Sequence, residues 1–321
     1  MHSFKELLQD FDTKFSIRHF PQHPATLYDS SQYILGLGGK RVRPVMCLMG
    51  NELFDTINPD SYHVAAAVEL FHNFSLIHDD IMDKAPLRRG MPTVHAKYGE
   101  STALLAGDVM LVMCYEYINK ISPELKTRIL QLFNKTALQV SEGQQLDMDY
   151  EKQASVSLAD YLQMIELKTS VLLGASLKMG AIIGGASEGN VNHLYEFGKN
   201  LGIAFQVQDD YLDAFGDPEK FGKQAGGDII ANKKTFLLIH TLEVAEAPLK
   251  EELLHLLQTN PADKVQRVLT IMKACGVDEW ARQLKEKYLE NAMNHMEEIA
   301  VISRRKEPLI TLAQFLVQRD H

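Results

Sequence analysis

Two aspartate triplets of identical spacing constrain this chain more than any other feature. One reads Asp79-Asp80-Ile-Met-Asp83 and the other reads Asp209-Asp210-Tyr-Leu-Asp213. Each follows an apolar run, at 65–78 and 201–208, that is too hydrophobic for a protein surface and predicts a buried helix. Residues i and i+4 share one face of a helix, where two stacked carboxylates repel each other. Both triplets therefore predict pairs of carboxylates that need a neutralising cation.

The cation that best fits these pairs is Mg2+. Hard divalent cations prefer oxygen ligands, and proteins hold Mg2+ through one or two carboxylates, several waters and the phosphate oxygens of a substrate. The alternative for either triplet alone is a solvated acidic face. Because two copies follow two apolar runs, metal binding is the preferred interpretation.

Composition and periodicity favour an all-α fold. The 321 residues are 45% hydrophobic, and apolar positions recur at helical spacing without clear alternating strands. The predicted breaks, at 58–59, 122–123 and 260–263, are short turns with a proline at the start of the next helix. Length alone permits two domains, but no linker or change of composition divides the chain, so a single domain over 1–321 is predicted.

Charge and targeting signals exclude several classes of function. A net charge of −9 and a pI near 5.7 argue against nucleic acid as a partner. The first residues lack the apolar segment of a secretory signal, and the most membrane-like stretch, 171–186, is short and contains Lys178, so no transmembrane segment is predicted. The three cysteines are isolated, which favours reduced thiols and a cytoplasmic location.

Basic residues gather in four short segments. Gly38-Gly39-Lys40-Arg41-Val42-Arg43-Pro44 is a glycine-containing turn with three cations, and Arg88-Arg89 lies five residues beyond Asp83. Lys168-Thr169 and the segment 222–235 add further cations. Each segment alone could form surface ion pairs. Since guanidinium and ammonium groups hold phosphate oxygens, their occurrence with two acidic triplets predicts a site for metal-bridged diphosphates.

The motifs as a set resemble one family. GGKRVRP, LFHNFSLIHDDIMDKAPLRRG, GQQLD, LKTS, FQVQDDYLD and GKQAGGDIIANKKT occur in this order over about residues 35–240, and together they look like the trans-isoprenyl diphosphate synthases, or polyprenyl synthetases. The resemblance implies about a dozen helices around a deep central cavity, with the two aspartate motifs facing each other across its mouth. It also implies a homodimer that uses Mg2+, three ions per site, or Mn2+ in its place.

The resemblance also implies a role for each matching residue. Asp79, Asp83 and Asp209 would bind the metal ions, with Asp80, Asp210 and Asp213 close by or acting through water. Arg88, Lys168, Lys223 and Lys233 would hold the allylic diphosphate, and Lys40, Arg43, His72 and Arg89 would hold isopentenyl diphosphate. Thr169 and Gln206 would line the reacting carbons. Gln144 and Asp147 would support the metals and Lys168.

The implied reaction begins with loss of diphosphate from the allylic substrate, promoted by the metal ions and the basic residues. The double bond of isopentenyl diphosphate attacks the resulting cation, and the released diphosphate removes a proton. Because water would trap the cation, the cavity should be apolar; Phe71, Phe74, Leu104 and 109–113 match this requirement, although an ordinary core would look the same.

Product length depends on the residues just before the first motif. Phe74, with Ser75 beside it and Phe71 one turn deeper, would form the floor that stops the growing chain. An aromatic residue here, without an insertion in the first motif, resembles short-chain enzymes, so a C15 to C20 product is predicted, with C20 favoured. The alternatives are a longer-chain polyprenyl diphosphate synthase and a non-catalytic partner subunit of a heteromeric synthase.

Two related enzyme classes fit the sequence less well. A class I terpene cyclase would have a different second metal motif from Asp209-Asp210-Tyr-Leu-Asp213. A squalene or phytoene synthase would lack the isopentenyl pocket at Lys40 and Arg43. One departure from the family pattern follows Lys233, where the chain reads Lys234-Thr235-Phe236 in place of Thr-Leu-Pro, and only a local change of helix geometry is expected.

Overall fold

A computed structural model describes residues 1–216 and 226–318 of the chain. Within these residues the fold is helical, which confirms the all-α prediction. The first seven helices are α1 (Phe4–Phe15), α2 (Ala25–Gly36), α3 (Val42–Glu52), α4 (Pro59–Met82), α5 (Val94–Tyr98), α6 (Glu100–Asn119) and α7 (Pro123–Lys152). Then come α8 (Leu158–Ile165), a π-helical turn (Glu166–Ser170), α9 (Val171–Ile183), α10 (Glu188–Phe215) and α11 (Gly227–Ile230). The last five are α12 (Phe236–Val244), α13 (Ala247–Thr259), α14 (Lys264–Ala274), α15 (Val277–Glu297) and α16 (Ser303–Gln318).

The backbone groups into two compact units, each assembled from separate stretches of sequence. The first unit comprises Met1–Asn134, Ala175–Leu194 and Ala300–Pro308. The second comprises the described residues of Lys135–Gly174, Tyr195–Ile299 and Leu309–His321. The first aspartate motif belongs to the first unit and the second motif to the second. That the whole chain forms one domain stays a prediction.

The first unit is built around α4, the helix that leads to the first aspartate motif. Asn58 caps its N-terminus by accepting a hydrogen bond from the backbone N–H of Asp60, and Pro59 occupies the first turn, where its missing N–H costs nothing. Apolar side chains surround the middle of the helix on all sides, and those from Val64 to Ala67 are at most 5% exposed. Both α3 and α6 pack against α4, which explains why its whole circumference is buried.

The second unit has its own apolar core, in which α12 is central. Phe236, Leu237 and Ile239 of this helix are buried with residues of α8, α10, α14 and α15. Trp280 of α15 packs against Phe236 with ring centroids 5.7 Å apart. This core supports the end of α10, where the second aspartate motif lies.

A small β-hairpin interrupts the helices after α4. Its strands, β1 (Leu87–Arg88) and β2 (Met91–Pro92), pair antiparallel around Arg89 and Gly90. Both turn residues have positive φ, 54° and 76°, as a two-residue type I′ turn requires. The sequence analysis expected no strands, because two-residue strands leave no alternating pattern to detect.

Within the described residues, α6 is the one helix long and apolar enough to cross a membrane by length and composition. The sequence analysis had instead pointed to 171–186 as the most membrane-like stretch. Helix α6 contains Glu100, Asp108 and Glu116 and packs along α4. Core helices of water-soluble proteins have the same properties, so this single helix is weak evidence for a membrane span.

Candidate active site

The first aspartate motif lies at the C-terminal end of α4. The backbone N–H of Asp83, which ends the helix, donates to the carbonyl of Asp79 over 2.9 Å, so the two residues lie one turn apart as predicted. Asp80 is only 2% exposed, and its two carboxylate oxygens accept hydrogen bonds of 2.7 and 2.8 Å from Arg88. This paired geometry is the strongest type of ion pair between side chains.

Arg88 therefore forms ion pairs within the acidic motif, in addition to its predicted contact with a diphosphate. Its guanidinium also lies 3.8 Å from the carboxylate of Asp79. Burial lowers the pKa of Arg88, but the hydrogen bond and the charge of Asp80, with the charges of Asp79 and Asp83, outweigh burial and raise it. Arg88 thus remains cationic beside the carboxylates of the first motif.

The remaining carboxylates suit Mg2+ in number and exposure. The Asp79 side chain is 22% exposed and Asp83 is exposed, while Asp80 is occupied by Arg88. No group of three or more His, Cys, Asp or Glu side chains among residues 1–216 and 226–318 is arranged to hold a metal by itself. Two carboxylates fit an ion whose other ligands are waters and substrate phosphate oxygens.

The two turns that carry the predicted isopentenyl diphosphate residues are in contact. The guanidinium of Arg89 donates to the carbonyl of Gly38, and its terminal nitrogen would lie 2.9 Å from a Cβ placed on Gly39. Any larger residue at position 39 would displace Arg89, and the φ of +147° there also favours glycine. The glycine turn thus allows the Arg89 guanidinium to approach the backbone of Gly38 and Gly39, next to the exposed Lys40 in the sequence.

Arg43 and His72 complete this basic group. Arg43 lies 3.3 Å from Nε2 of His72, and its buried Nε has no hydrogen-bond partner among the described residues. Burial lowers the pKa of Arg43 to about 10, and the charge of Glu69 opposes that change. Burial and the charges of Arg43 and Arg89 lower the pKa of His72 well below its usual range. A cationic Arg43 with an unused donor and a neutral imidazole fit an anionic ligand.

The sequence analysis missed the buried network behind these residues. Arg41 is 9% exposed, donates to the carboxylate of Glu69, and donates to the carbonyl of Leu35 over 2.9 Å. Asn73 donates to the same carboxylate over 2.9 Å. Arg41 adopts φ of +47°, which a non-glycine residue keeps only where its surroundings hold it. The sequence alone does not show whether a cation of the GGKRVRP segment binds a ligand or a protein side chain. The available signal for a buried ion pair was Glu69, an acidic residue within an apolar run.

The second aspartate motif lies near the C-terminal end of α10. Asp210 is 4% exposed and accepts hydrogen bonds from the Tyr161 hydroxyl (2.5 Å) and the Gln206 amide (2.9 Å). Burial raises the pKa of Asp210 to about 6, although the nearby charge of Lys233 lowers it. Asp213 accepts the backbone N–H of Asp228 over 2.9 Å. Asp209 is half-buried on the same helix, one turn before Asp213.

Lys168 and Thr169 lie in the π-helical turn Glu166–Ser170. Such turns are rare and occur often at functional sites. The Lys168 ammonium donates to Asp147 of α7 over 2.5 Å, and the Thr169 hydroxyl lies 3.5 Å from the side-chain oxygen of Gln206. A Cβ at Gly143 would lie 2.3 Å from the backbone N of Lys168, so this glycine permits the close approach of α7.

The structure thus brings Thr169, Gln206 and Asp210 into one hydrogen-bonded series, with the Lys168–Asp147 pair on the same turn. Gln144 is half-buried on α7, three residues before Asp147 and on the same face. Lys233 is exposed, and its ammonium lies 3.9 Å from the carboxylate of Asp228. Lys223 lies outside the described residues. The role of Tyr161 was missed because a tyrosine within the largely apolar helix Leu158–Ile165 looks like ordinary core.

Two of the predicted floor residues, Phe71 and Phe74, have adjacent, tilted rings on α4. The ring centroids of Phe71 and Phe74 are 5.5 Å apart, and Phe71 also contacts Phe133, with centroids 5.4 Å apart. Ser75 is half-buried beside them and donates to the carbonyl of His72 over 2.8 Å. Leu104, expected in the apolar cavity, is 50% exposed in the single chain, because positions 104, 108 and 112 form the face of α6 opposite the buried Met110 and Cys114.

Comparison with known proteins identifies consistent relatives. The family model described as polyprenyl synthetase matches residues 24–274. A geranylgeranyl diphosphate synthase of Saccharolobus solfataricus is 37% identical, covering 98% of this chain and 97% of the relative. A geranylfarnesyl diphosphate synthase of Natronomonas pharaonis is 32% identical, covering 94% and 92%. A crystal structure of a geranylgeranyl pyrophosphate synthase has a TM-score of 0.95 and 41% identity, covering 99% of both chains.

Proposed function

The chain belongs to the polyprenyl synthetase family of trans-prenyltransferases, and on that premise we propose that it condenses isopentenyl diphosphate with an allylic diphosphate to give the C20 product, geranylgeranyl diphosphate. The observation that carries this proposal is the group formed by Arg43, His72 and Arg89 beside the Asp80–Arg88 pair. One unit of the fold thus joins an acidic motif to a separate basic pocket, as a reaction between two diphosphates requires.

Each diphosphate has its own set of residues in the proposal. Lys40, Arg43, His72 and Arg89 bind isopentenyl diphosphate, and Arg88, Lys168, Lys223 and Lys233 bind the allylic diphosphate. Asp79, Asp83 and Asp209 would hold Mg2+, which, when bound, stabilises negative charge on the departing diphosphate. The two aspartate motifs would face each other for this purpose, as the family resemblance implies.

The residues of the chain then direct the reaction. The cations that surround the allylic diphosphate stabilise it as its carbon–oxygen bond breaks and an allylic cation forms. Arg43 and its neighbours hold isopentenyl diphosphate so that its double bond forms the new carbon–carbon bond with that cation. A proton then leaves the adjacent carbon for the released diphosphate, and the product is an allylic diphosphate five carbons longer. Thr169 and Gln206 line the reacting carbons.

Phe74 sets the proposed product length. Both the geranylgeranyl synthases and a geranylfarnesyl synthase among the relatives resemble this chain, so the family alone permits C20 or a longer product. The tilted rings of Phe74 and Phe71 lie next to each other on α4 and would form the floor that stops the growing chain. This floor favours C20 over the longer product and leaves C15 as the second candidate.

The chain is proposed to act as a cytoplasmic homodimer. On α6, Leu104, Leu105 and Val112 are 50–59% exposed, and Tyr115 on the same helix is 39% exposed. Asp108 lies on the same face, but this group of exposed apolar side chains is expected to be covered by a partner. The thiols of Cys47 and Cys114 are buried and unpaired with each other, which agrees with a reducing compartment.

A product assay tests the proposed function. Purified protein with Mg2+ is incubated with radiolabelled isopentenyl diphosphate and, separately, the C5, C10 and C15 allylic primers, and the dephosphorylated products are sized. We expect a C20 product and no turnover in EDTA. Asp79→Ala should reduce turnover by orders of magnitude. A non-catalytic partner subunit would give no product with any primer, and a longer-chain synthase would give products beyond C20.

A further inference from the structure

Lys264 is a buried lysine for which the reaction described above has no use. It is the first residue of α14 and is 4% exposed. Its ammonium donates to three oxygens, at 2.5 Å to Asn232 Oδ1, 2.8 Å to Asn260 Oδ1 and 3.3 Å to the carbonyl of Ile230. Lysines are rarely buried so completely unless they are paired, because removing the charge from water is costly. Three neutral oxygens replace that water here.

The oxygens come from two separate segments of the chain. Asn260 follows α13, while Ile230 is the last residue of α11 and Asn232 lies two residues beyond it, near the second aspartate motif. Both asparagines have positive φ, 55° for Asn232 and 46° for Asn260. Left-handed conformations of non-glycine residues cost energy and persist where surrounding contacts hold them. The Asn232 amide also donates to the carbonyl of Leu257 over 3.1 Å, which ties the same turn to α13 a second time.

The segment held by Lys264 reaches the second aspartate motif directly. Its residue Gly226 donates its N–H to the carbonyl of Asp213 over 2.6 Å, and the N–H of Asp228 donates to the Asp213 carboxylate over 2.9 Å. Lys233 donates its backbone N–H to the carbonyl of Asp228 over 2.9 Å. The segment 226–233 therefore orients one carboxylate of the motif and carries a lysine proposed to bind diphosphate.

Helix α14 supports the segment at a second point. A Cβ on Gly226 would lie 2.5 Å from the side chain of Val265, the residue after Lys264. Gly226 has φ of +81°, so the backbone both turns and packs against α14 at this residue. A cavity of about 10 Å3 is lined by Asp210, Asp228 and Lys233, among others, so residues of the segment and of the second aspartate motif border one space.

We propose that Lys264 is a positioning residue for the second metal and diphosphate site: its ammonium fixes the 226–233 segment so that Asp213 and Lys233 are held in their binding positions. This proposal rests on the proposed function. Outer groups that orient metal ligands typically contribute 10–100-fold to metal affinity. Lys264 acts through the backbone of 230–232 and touches no substrate.

Binding of Mg2+ and inorganic pyrophosphate, measured by calorimetry, tests the proposal without turnover. Lys264→Met keeps the length of the side chain and removes the charge. We expect it to weaken pyrophosphate binding in the presence of Mg2+ about tenfold or more. The KM for the allylic diphosphate should rise similarly, while the KM for isopentenyl diphosphate should stay unchanged, because its proposed residues lie in the other unit. Lys250→Met, which changes an exposed lysine of α13, is the matched control and should alter neither value.

Two further variants keep the test decisive. Lys264→Arg should not restore binding, since a planar guanidinium does not fit three oxygens arranged around a compact ammonium. Asn232→Gly permits the same positive φ but removes an acceptor of Lys264, so it should weaken pyrophosphate binding in the same direction even if Lys264→Met fails to fold. The proposal is wrong if folded Lys264→Met, or Asn232→Gly in its place, binds pyrophosphate as the wild type does. Failure of the wild type to bind pyrophosphate or form product would instead refute the proposed function.

Discussion

Replacing Phe74 by alanine should lengthen the product by one isoprene unit. The proposed chain grows along α4 from Asp79 until it meets the Phe74 ring. The next barrier is Phe71, three residues earlier and about 4.5 Å along the helix axis, whose ring centroid lies 5.5 Å from that of Phe74. That distance is close to the length that one further five-carbon unit needs. Phe71 is 1% exposed and supported by Phe133, so it should remain in place.

The expected product of Phe74→Ala is therefore C25, with little material beyond it. The dephosphorylated products of wild type and variant are compared by mass spectrometry with the same primer and an excess of isopentenyl diphosphate. Phe315→Ala makes the same chemical change at a residue that is 63% exposed, and its product should stay C20. An unchanged C20 product from Phe74→Ala would show that the floor lies elsewhere. A broad distribution past C25 would show that Phe71 does not form the next barrier.

Two further predictions concern stability, measured as urea midpoints. Glu69→Gln removes the nearest counter-charge of the buried Arg41 and leaves only the Asp12 carboxylate, which is 3.6 Å away and 47% exposed, so it should lower the free energy of unfolding by about 3 kcal/mol. Glu252→Gln, at the exposed pair with Arg267, should leave the urea midpoint almost unchanged, and equal losses from the two variants would contradict this. Burial lowers the pKa of His19, so below about pH 6.5 the unfolded chain binds this proton more readily than the folded chain, and the free energy of unfolding falls. His19→Gln should therefore lose less stability than the wild type between pH 7.5 and pH 5.5. An equal loss of stability in the two proteins would refute this role of His19.

Sequence patterns predicted the helical class and the position of both aspartate motifs near helix ends, because both depend on short-range spacing. The i, i+4 relation of Asp79 and Asp83 follows from helix geometry alone, and the structure reproduces it. The apolar runs before each motif likewise predicted buried helices correctly. The glycine turn at 38–39 and the basic residues after it were recognisable from composition. The structure adds that this turn contacts Arg89.

What the sequence did not predict depends on contacts between distant residues. The pairing of Arg41 with Glu69 and the bond from Tyr161 to Asp210 join segments far apart in the chain, so no local pattern records them. The π-helical turn at Lys168 arises from the close packing of α7 at Gly143, and a run such as ELKTS reads equally well as α-helix. The hairpin at Arg88 was missed because its strands are too short to show alternation.

A crystal structure with Mn2+ and a non-cleavable allylic thiolodiphosphate tests the central claim most directly. We expect anomalous peaks for metal ions that bridge the diphosphate to Asp79 and Asp83 and to Asp209, with Lys168 and Arg88 in contact with its oxygens. Metal ions bound elsewhere, or a diphosphate bound without either aspartate motif, would contradict it.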